Sequence, residues 1–552
     1  MKNEKLAEAG ENISPDKPES TGRRDVLKSL VAAPVLGALA YGVYKKKKYD
    51  RMHRDISDVF KLDQTPTLLS TQAGSRTIRV GLIGHGIRGK QLMQALGFAE
   101  PAYIDELKEK ERTRPNYTGY RDFMEQDDLN VKITAVCDIF DVYGESAILA
   151  GSNTNRTGSG EKPTGTPPKR YRNYRELLAD ENVDAVVIAT PDHWHGQMTI
   201  DAAKAGKHVY CEKPLTWTLP ETYRVRNVVK ETGIVFQLGH QGRQTDSYIK
   251  AKEIVDKGLL GPISLVEMTT NRNDPNGAWV YKIIEGSNPV TIDWKQFEGP
   301  EQQIREYTEY MKKAGLERYV GPDDRGKFSL ERFFRWRCWW DYSTGLSGDL
   351  LTHEYDAVNQ IMRMGIPRSV TSSGGIYFFK DGRTVPDVLQ TSMEFPDRNF
   401  TLLYSATLAN QRNRGKVFMG HDASMQLSNM ITVQADPSSD LYKEKIEKGI
   451  IPTDAPFYTY SPGKGDADGV ATATELYFAQ RGLMSSYING KRYNTTYLHM
   501  QEWLECIRRG LTPSCNIDEA FDEAITAHMG TRAYLENKTM FWDKDKQAIV
   551  AG

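Results

Sequence analysis

The sequence predicts an α/β protein in two parts: a parallel sheet flanked by helices, then an α+β unit with an open, mainly antiparallel sheet. Three observations lead there. Short apolar strands alternate with helical stretches between Thr77 and Gly239, the order of βαβ units. A glycine-rich turn, Gly84-His85-Gly86-Ile87-Arg88-Gly89, falls where the first strand meets the first helix. After Gly239 the strand-like segments are joined by short turns such as Pro396-Asp397-Arg398-Asn399, as antiparallel neighbours require.

The 552 residues allow two to four domains at roughly 100–200 residues each. With 39% hydrophobic residues there is ample material for buried cores. The 72 Lys+Arg nearly cancel 73 Asp+Glu, leaving a formal charge of -1. That balance argues against nucleic acid as a partner. The five cysteines, at 137, 211, 338, 506 and 515, include no C-x-x-C pair, which excludes a disulfide scaffold and disfavours a zinc ribbon. No run of about 18 apolar residues occurs, so a multi-span membrane protein is excluded.

Residues 1–50 read as a disordered leader followed by an export signal or membrane anchor, and 51–76 as a linker. Met1–Glu19 is polar and proline-punctuated. Arg23-Arg24 then precedes the apolar stretch Ser29–Tyr44, which resembles a twin-arginine export signal. Ala38-Leu39-Ala40 offers a small-residue cleavage site, whereas Lys45–Lys48 opposes translocation and suits a retained anchor or a basic arm. The expected location is periplasmic or exported, with possible anchoring through residues 29–44 and the export machinery as a partner.

The first unit, 77–240, opens with Thr77–Gly84, apolar enough for a strand buried on both faces. A helix over Ile87–Ala95 follows. Val131–Asp138, Val183–Thr190, His208–Cys211 and Ile234–Leu238 supply further strands, with helices at Gly196–Ala205 and Leu219–Glu231. A polar insert, Phe98–Leu129, and a Gly/Thr/Pro-rich loop, Gly151–Lys169, interrupt the alternation. The second unit, 241–552, carries strands at Ile263–Asn271, Val370–Tyr377, Leu389–Phe395 and Phe400–Ser405, then helices at Leu498–Arg508 and Asp518–Leu535 and a β-like Met540–Trp542. The charged, Gly/Pro-rich stretch Asp274–Phe334 is assigned no regular element.

The glycine turn suits a pyrophosphate. The first glycine permits the tight turn, the second admits the phosphates to the backbone, the third lets helix pack on strand, and the helix N-terminus faces the charge. A plain β–α turn is the competing reading. Asp138 ends the second strand, where a carboxylate accepts both ribose hydroxyls of NAD and repels the 2′-phosphate of NADP. The gap from Gly89 is 49 residues (89 to 138) rather than about 20, an excess attributed to the Phe98–Leu129 insert. Arg88 keeps NADP as the less favoured cofactor.

Two further loops follow strands of the parallel sheet: Thr190-Pro191-Asp192-His193-Trp194-His195 and Tyr210-Cys211-Glu212-Lys213-Pro214. Ligands of open α/β sheets bind beyond the strands' carboxyl ends, so Thr190, Pro191, His193, His195, Glu212 and Lys213 are expected at the cofactor crevice. His193 and His195 lack further ligands at metal spacing, and no metal is expected. Lys213, in a partly desolvated cleft, can donate to a substrate hydroxyl, although a surface lysine is the simpler alternative. In Gly348-Asp349-Leu350-Leu351-Thr352-His353-Glu354-Tyr355-Asp356 a helix would place Asp349, His353 and Asp356 on one face. A neutral imidazole can take a hydroxyl proton, and Asp356 can fix its tautomer. A capped helix with a satisfied histidine, or a metal face, are the alternatives.

Taken together, GHGIRG, the CD closing the second strand, TPDHWH, CEKP and the D-x-x-x-H of GDLLTHEYD resemble the Gfo/Idh/MocA oxidoreductases. The likeness runs from about Ile78 to Trp542. It implies an N-terminal Rossmann dinucleotide-binding domain and a C-terminal sheet covering the nicotinamide. It implies NAD-dependent hydride transfer to or from a sugar, polyol or glycoside hydroxyl, with Lys213 contacting substrate and nicotinamide and Asp349 and His353 handling the proton. A glycosidase working through transient oxidation and elimination is an alternative, as is a non-catalytic, NAD-holding carbohydrate binder. The aromatic segment Trp336-Arg337-Cys338-Trp339-Trp340 departs from the family pattern, and Arg337, Trp340 and Tyr342 are candidate substrate contacts. An exposed sheet face favours a homo-oligomer.

Overall fold

The computed structural model describes residues 62, 75–115, 117–152, 165–319, 326–412, 414–428, 430–461, 483–488 and 491–552. The leader, Arg23-Arg24, the 29–44 stretch and most of the expected linker and of the 151–169 loop lie outside them. Among the described residues no helix is long and apolar enough to cross a membrane.

The first sheet has six parallel strands in the order β3-β2-β1-β4-β5-β6. They are β1 Ile78–Ile83, β2 Val131–Cys137, β3 Lys169–Tyr171, β4 Ala185–Ile188, β5 His208–Cys211 and β6 Phe236–Leu238. This is the doubly wound dinucleotide-binding order, whose direction reverses between β1 and β4. Helix α1 spans Ile87–Ala95, and α2 spans Asp192–Lys204, starting four residues before the expected Gly196. Helix α3, Leu219–Thr232, opens on a capping box of Thr218 and Glu221 and stops at Gly233 in the left-handed region (φ 65°). The polar insert is helical over Pro101–Thr113 and Gly119–Met124; Ile104, Leu107, Tyr117 and Phe123 give it a small core of its own. Strand β3 is three residues long, too short to show a period in sequence.

The second sheet has ten strands: β7 Ile263–Asn271, β8 Ser369–Gly375, β9 Val388–Phe395, β10 Phe400–Thr407, β11 Lys416–Gly420, β12 Ala423–Leu427, β13 Ile431–Ala435, β14 Tyr458–Tyr460, β17 Met540–Asp543 and β18 Ala548–Ala551. Strands β15 (Ser485–Ile488) and β16 (Lys491–Asn494) form a separate hairpin. The order is β14-β13-β12-β11-β7-β10-β9-β8-β17-β18. All of its pairings are antiparallel except β7 with β10. Alternating burial along β9, β10 and β12 gives one covered face and one wetter face.

Further helices are α4 (Asp246–Asp256), α5 (Thr352–Met362), α6 (Thr495–Arg509) and α7 (Ile517–Glu536). The chain's end returns to the first sheet. Tyr497, Leu498, Trp503 and Leu504 of α6 pack with Val80, Leu82, Val131 and Leu92 on one face. Ile517, Ala520 and Ala524 of α7 join Ile188, Val209, Met198 and Val225 on the other. Polar bonds fix the docking: His499 Nε2 lies 2.9 Å from the Leu238 carbonyl, and the Leu238 amide donates to Cys515 O at 3.0 Å.

Candidate active site

The crevice opens beyond the carboxyl ends of β1, β4 and β5. Its glycine turn is built by close approach. Gly84 has φ +90°, and a Cβ on Gly89 would sit 2.1 Å from Gly84 O, so first and third glycines lock strand to helix. Gly86 is different: the only neighbour of an added Cβ would be Tyr143, at 3.7 Å. The backbone at Gly86, Ile87 and Arg88 therefore faces open space at the start of α1, where amides and dipole favour an anion. That fits a bound pyrophosphate.

His85 contributes backbone only. Its ring is 1% exposed, and burial lowers its pKa to about 4. Its amide donates to Asp138 Oδ2 at 2.7 Å, and the Phe140 amide donates to Oδ1 at 2.9 Å. Burial pushes the Asp138 carboxyl up to about 6 despite those bonds. Asp138 borders a small cavity of about 60 Å³ shared with Gly84 and Thr190. The 274–334 stretch closes over it, because Asp141 N donates to Thr291 O and Asp293 N to Ile139 O, both at 2.9 Å. Arg88 is committed inward, with Nε 2.7 Å from Glu212 Oε1 and Nη2 3.1 Å from Gln241 Oε1. It ties the glycine helix to the β5 loop instead of reaching outward for a phosphate.

A crevice of about 430 Å³ is lined by Gly86, Ile87, Arg88, Thr190, Pro191, His195, Glu212, Lys213, Arg337, Asp349 and His353, among others. His195 bridges two loops, its ring nitrogens 2.7 Å from Pro214 O and 2.8 Å from Thr190 O. Three expectations are corrected. His193 does not face the crevice: it is fully buried, with Nε2 2.6 Å from Phe297 O and its ring against Trp217, Phe297 and Tyr342. Tyr342 belongs to that same core, its hydroxyl 3.3 Å from Glu298. Trp340 is 4% exposed and packs on Gly345 and Tyr534. Helix α2 starts at Asp192, which turns His193 and His195 to different sides. The crevice aromatics are instead Tyr143, Tyr281, Phe333, Phe334 and Trp336.

Asp349 is the hub. It sits in a π-helical turn, Ser347–Leu351, continuous with α5, a wide turn that recurs at functional sites. Lys213 Nζ lies 2.7 Å from its Oδ1 and 2.9 Å from its carbonyl; Arg337 Nε lies 3.2 Å from Oδ1. Trp279 Nε1 donates to Oδ2 at 3.1 Å. Burial alone would raise this carboxyl, but the charges of Lys213, Arg337 and Arg272 outweigh it and hold it well below the carboxylate range. Asp349 is thus held as an anion that positions Lys213. His353, one turn on, is held well below its ordinary value by burial, with Lys213 and His240 adding to the effect, so its ring is neutral and ready to accept a proton.

Asp356 does not orient His353. Its Oδ1 is 2.6 Å from Arg243 Nη2 and 2.8 Å from Nε. His353 and Asp356 both lie in the regular helix Thr352–Met362, and it is the Arg243 guanidinium that claims Asp356. Two residues that the sequence reading did not single out complete the site. Trp279 holds its indole on Asp349 from a backbone with φ 66°, a costly conformation for a bulky residue. Asn276 lines the crevice from the Asp274-Pro275-Asn276-Gly277 turn, closed by Asp274 Oδ1 accepting from the Gly277 amide at 2.7 Å. That D-P-N-G run is a turn signal in the sequence.

Residues 78–240 match the oxidoreductase-family profile described as an NAD-binding Rossmann fold. The matched segment, under a third of the chain, coincides with the six-stranded parallel sheet and its helices. Among curated relatives, the scyllo-inositol 2-dehydrogenase (NAD(+)) of Bacillus subtilis is 40% identical over 119 residues, 21% of this chain and 34% of that protein. Levoglucosan dehydrogenase of Pseudarthrobacter phenanthrenivorans is 36% identical over 123 residues, 21% of this chain and 32% of that protein. The chain thus spans about a third of the length of the relatives it matches. The fold likeness reaches further: levoglucosan dehydrogenase in complex with NADH and levoglucosan superposes with a TM-score of 0.53 at 18% identity, over 86% of this chain and 99% of that one. The WlbA dehydrogenase from Bordetella pertussis, with NADH and UDP-GlcNAcA, gives 0.51 at 15% identity, over 84% and 97%. The parallel sheet and its mainly antiparallel partner sheet therefore share one fold with those two structures.

Proposed function

We propose that the protein is an NAD-dependent dehydrogenase acting on a hydroxyl of a sugar, polyol or glycoside. The observation that carries this is the meeting of Lys213, Asp349 and His353 in one crevice, opposite the open backbone of Gly86. A nicotinamide cofactor bound there supplies the hydride acceptor or donor. Neutral His353 takes the hydroxyl proton, while Lys213, anchored on Asp349, donates to the same oxygen and favours its developing negative charge. Arg337, its guanidinium over the Trp336 ring at 4.1 Å, adds a fixed cation beside the reacting group. Asp138, embedded in backbone amides under the 274–334 stretch, supports NAD over NADP and a slowly exchanging cofactor. The names of the relatives, inositol and levoglucosan dehydrogenases, support the polyol and sugar class.

The test is mass spectrometry of the nucleotide released on denaturation, followed by NAD reduction on a panel of polyols and glycosides. Bound NAD and turnover support the reading; Lys213→Ala and His353→Ala should each then lower kcat by about 10²–10⁴-fold. Normal turnover in both variants would overturn the assignment. Release of nitrophenol from nitrophenyl glycosides without net NADH would redirect it to a glycosidase. Export is also proposed, on Arg23-Arg24 and the apolar 29–44 stretch, and so is a homo-oligomer built on the wetter face of the second sheet. Cell fractionation of Arg23→Lys/Arg24→Lys tests the first, since an unchanged distribution counts against it; light scattering of the purified protein tests the second.

A further inference from the structure

Behind His353, away from the crevice, lies a charged cluster that the proposed chemistry does not use. His240, at the end of β6, is 1% exposed. Its Nε2 is 2.6 Å from Glu523 Oε2 on α7, and Glu523 is itself 2% exposed. His240 stands edge-on to His353, ring centroids 5.3 Å apart at 87°. Asp356 of α5 completes a trio whose ligand atoms lie within 4.8 Å of one another. A cation site is the obvious reading of such a trio, but Arg243 argues against it. Its guanidinium already pairs with Asp356, with Glu519 at 2.9 Å and with the Ser514 carbonyl, and so supplies the positive charge a metal would bring.

The charges on each side are unequal. His240 faces Glu523 from α7, Asp356 and His353 from α5, and Arg243 from its own loop; burial opposes its protonation, yet the two carboxylates outweigh burial and raise its pKa. His353 faces Lys213 from the β5 loop, Arg272 beyond β7, Asp349 from its own helix and His240 from behind, and the cations prevail. A proton held on the outer imidazole therefore disfavours one on the inner. Resting on the dehydrogenase reading, we infer that His240, kept cationic by Glu523 and Asp356, is a positioning residue that holds His353 in its proton-accepting form. It makes no contact with the reacting atoms and acts through charge. By the same logic the cluster resists double protonation, so the proton His353 accepts is readily given up before the next cycle.

The inference is read without turnover. In full-length protein labelled at histidine Cε1, the ten rings are followed by NMR against pH, with His353 assigned from its loss in His353→Gln. In the parent the His353 ring should titrate well below an ordinary imidazole. Removing the neighbouring charge in His240→Gln should bring that titration up by about two units, the size of a unit charge some 5 Å away at an effective dielectric of about 20, and removing its counter-ion in Glu523→Gln should move it the same way by less. The double variant removes both charges together and covers the case where a lone buried Glu523 prevents folding. A His353 midpoint that stays put in the folded variants overturns the inference. Where turnover is measurable, the acidic limb of kcat/KM should move up by the same amount. Ring shifts as stated, with no NAD-linked oxidation by the parent, would sink the proposed function and leave this inference standing.

Discussion

At the scale of single residues, the site works by pinning one carboxylate from several directions. Asp349 receives Lys213, Arg337 and Trp279, so its charge is spent on geometry. Trp279→Phe keeps an aromatic ring but removes the indole donor together with the five-membered ring that carries it. It should lower kcat about tenfold with little change in KM, measured with the best substrate of the panel; an equal loss in both would mean the indole merely fills space. His85 makes a second, independent prediction. Its folded pKa is near 4, below the unfolded value of 6.5, so between those values the unfolded chain binds the extra proton and stability falls as pH drops. At pH 5 that amounts to about 2 kcal/mol. Denaturant unfolding of His85→Leu should show this part of the acid sensitivity removed, and an unchanged pH slope would show that the ring is not held neutral. These roles were legible only in part. Lys213, Asp349 and His353 stand out because proton chemistry needs their side-chain types past strand ends. Nothing in the spacing reveals that Asp356 belongs to Arg243, because the two lie 113 residues apart in sequence. Trp340 and Tyr342 misled for a related reason: an aromatic run shows that rings are present but not which side of the chain they face.

At the scale of elements, the glycine turn divides its labour between packing and binding. Gly86→Ala places a methyl where only Tyr143 lies near, so the protein should fold with its thermal midpoint nearly unchanged while NAD affinity falls at least tenfold by calorimetry. Gly89→Ala drives a methyl into the Gly84 carbonyl and should lower the thermal midpoint itself. If both variants lost affinity and stability together, the division would be wrong. Helix α5 shows how His353 is aimed. Glu354 Oε2 is 2.5 Å from Lys416 Nζ on β11, and Asp356 pairs with Arg243 beside β6, so buried ion pairs flank His353 in sequence and lead to the two sheets. Long, strongly patterned elements such as α1, β5 and β7 agree with their sequence-derived bounds. The three-residue β3 escaped notice because so few residues carry no clear period, and the mixed, partly polar β11 to β13 stood out less than the apolar four-residue β5.

At the scale of the whole molecule, the two sheets do not divide the chain cleanly. Helix α6 covers one face of the first sheet and the start of α7 joins the core on the other. A fragment ending at residue 262 would expose Val80, Leu82 and Tyr210 where Trp503 and Tyr497 now sit. It should show no cooperative unfolding transition, whereas addition of a second fragment carrying residues 263–552 should restore one; a stable, cooperative first fragment would refute this view of the core. Sequence patterning places α6 correctly as a helix but cannot say which sheet it covers, because an apolar stripe names a buried face without naming its partner.

That return of the last helices has a temporal side. The ribosome releases the first sheet's strands hundreds of residues before it makes Trp503, and contacts so distant in sequence form slowly. Throughout synthesis one face of the nucleotide-binding half stays wet and open to chaperones. If the cofactor is loaded before the protein leaves its compartment of synthesis, loading waits for the carboxyl terminus. On the export proposed above, a signal around Arg23-Arg24 would be exposed long before the cargo is ready, and departure would be timed by the end of the chain and not by its beginning.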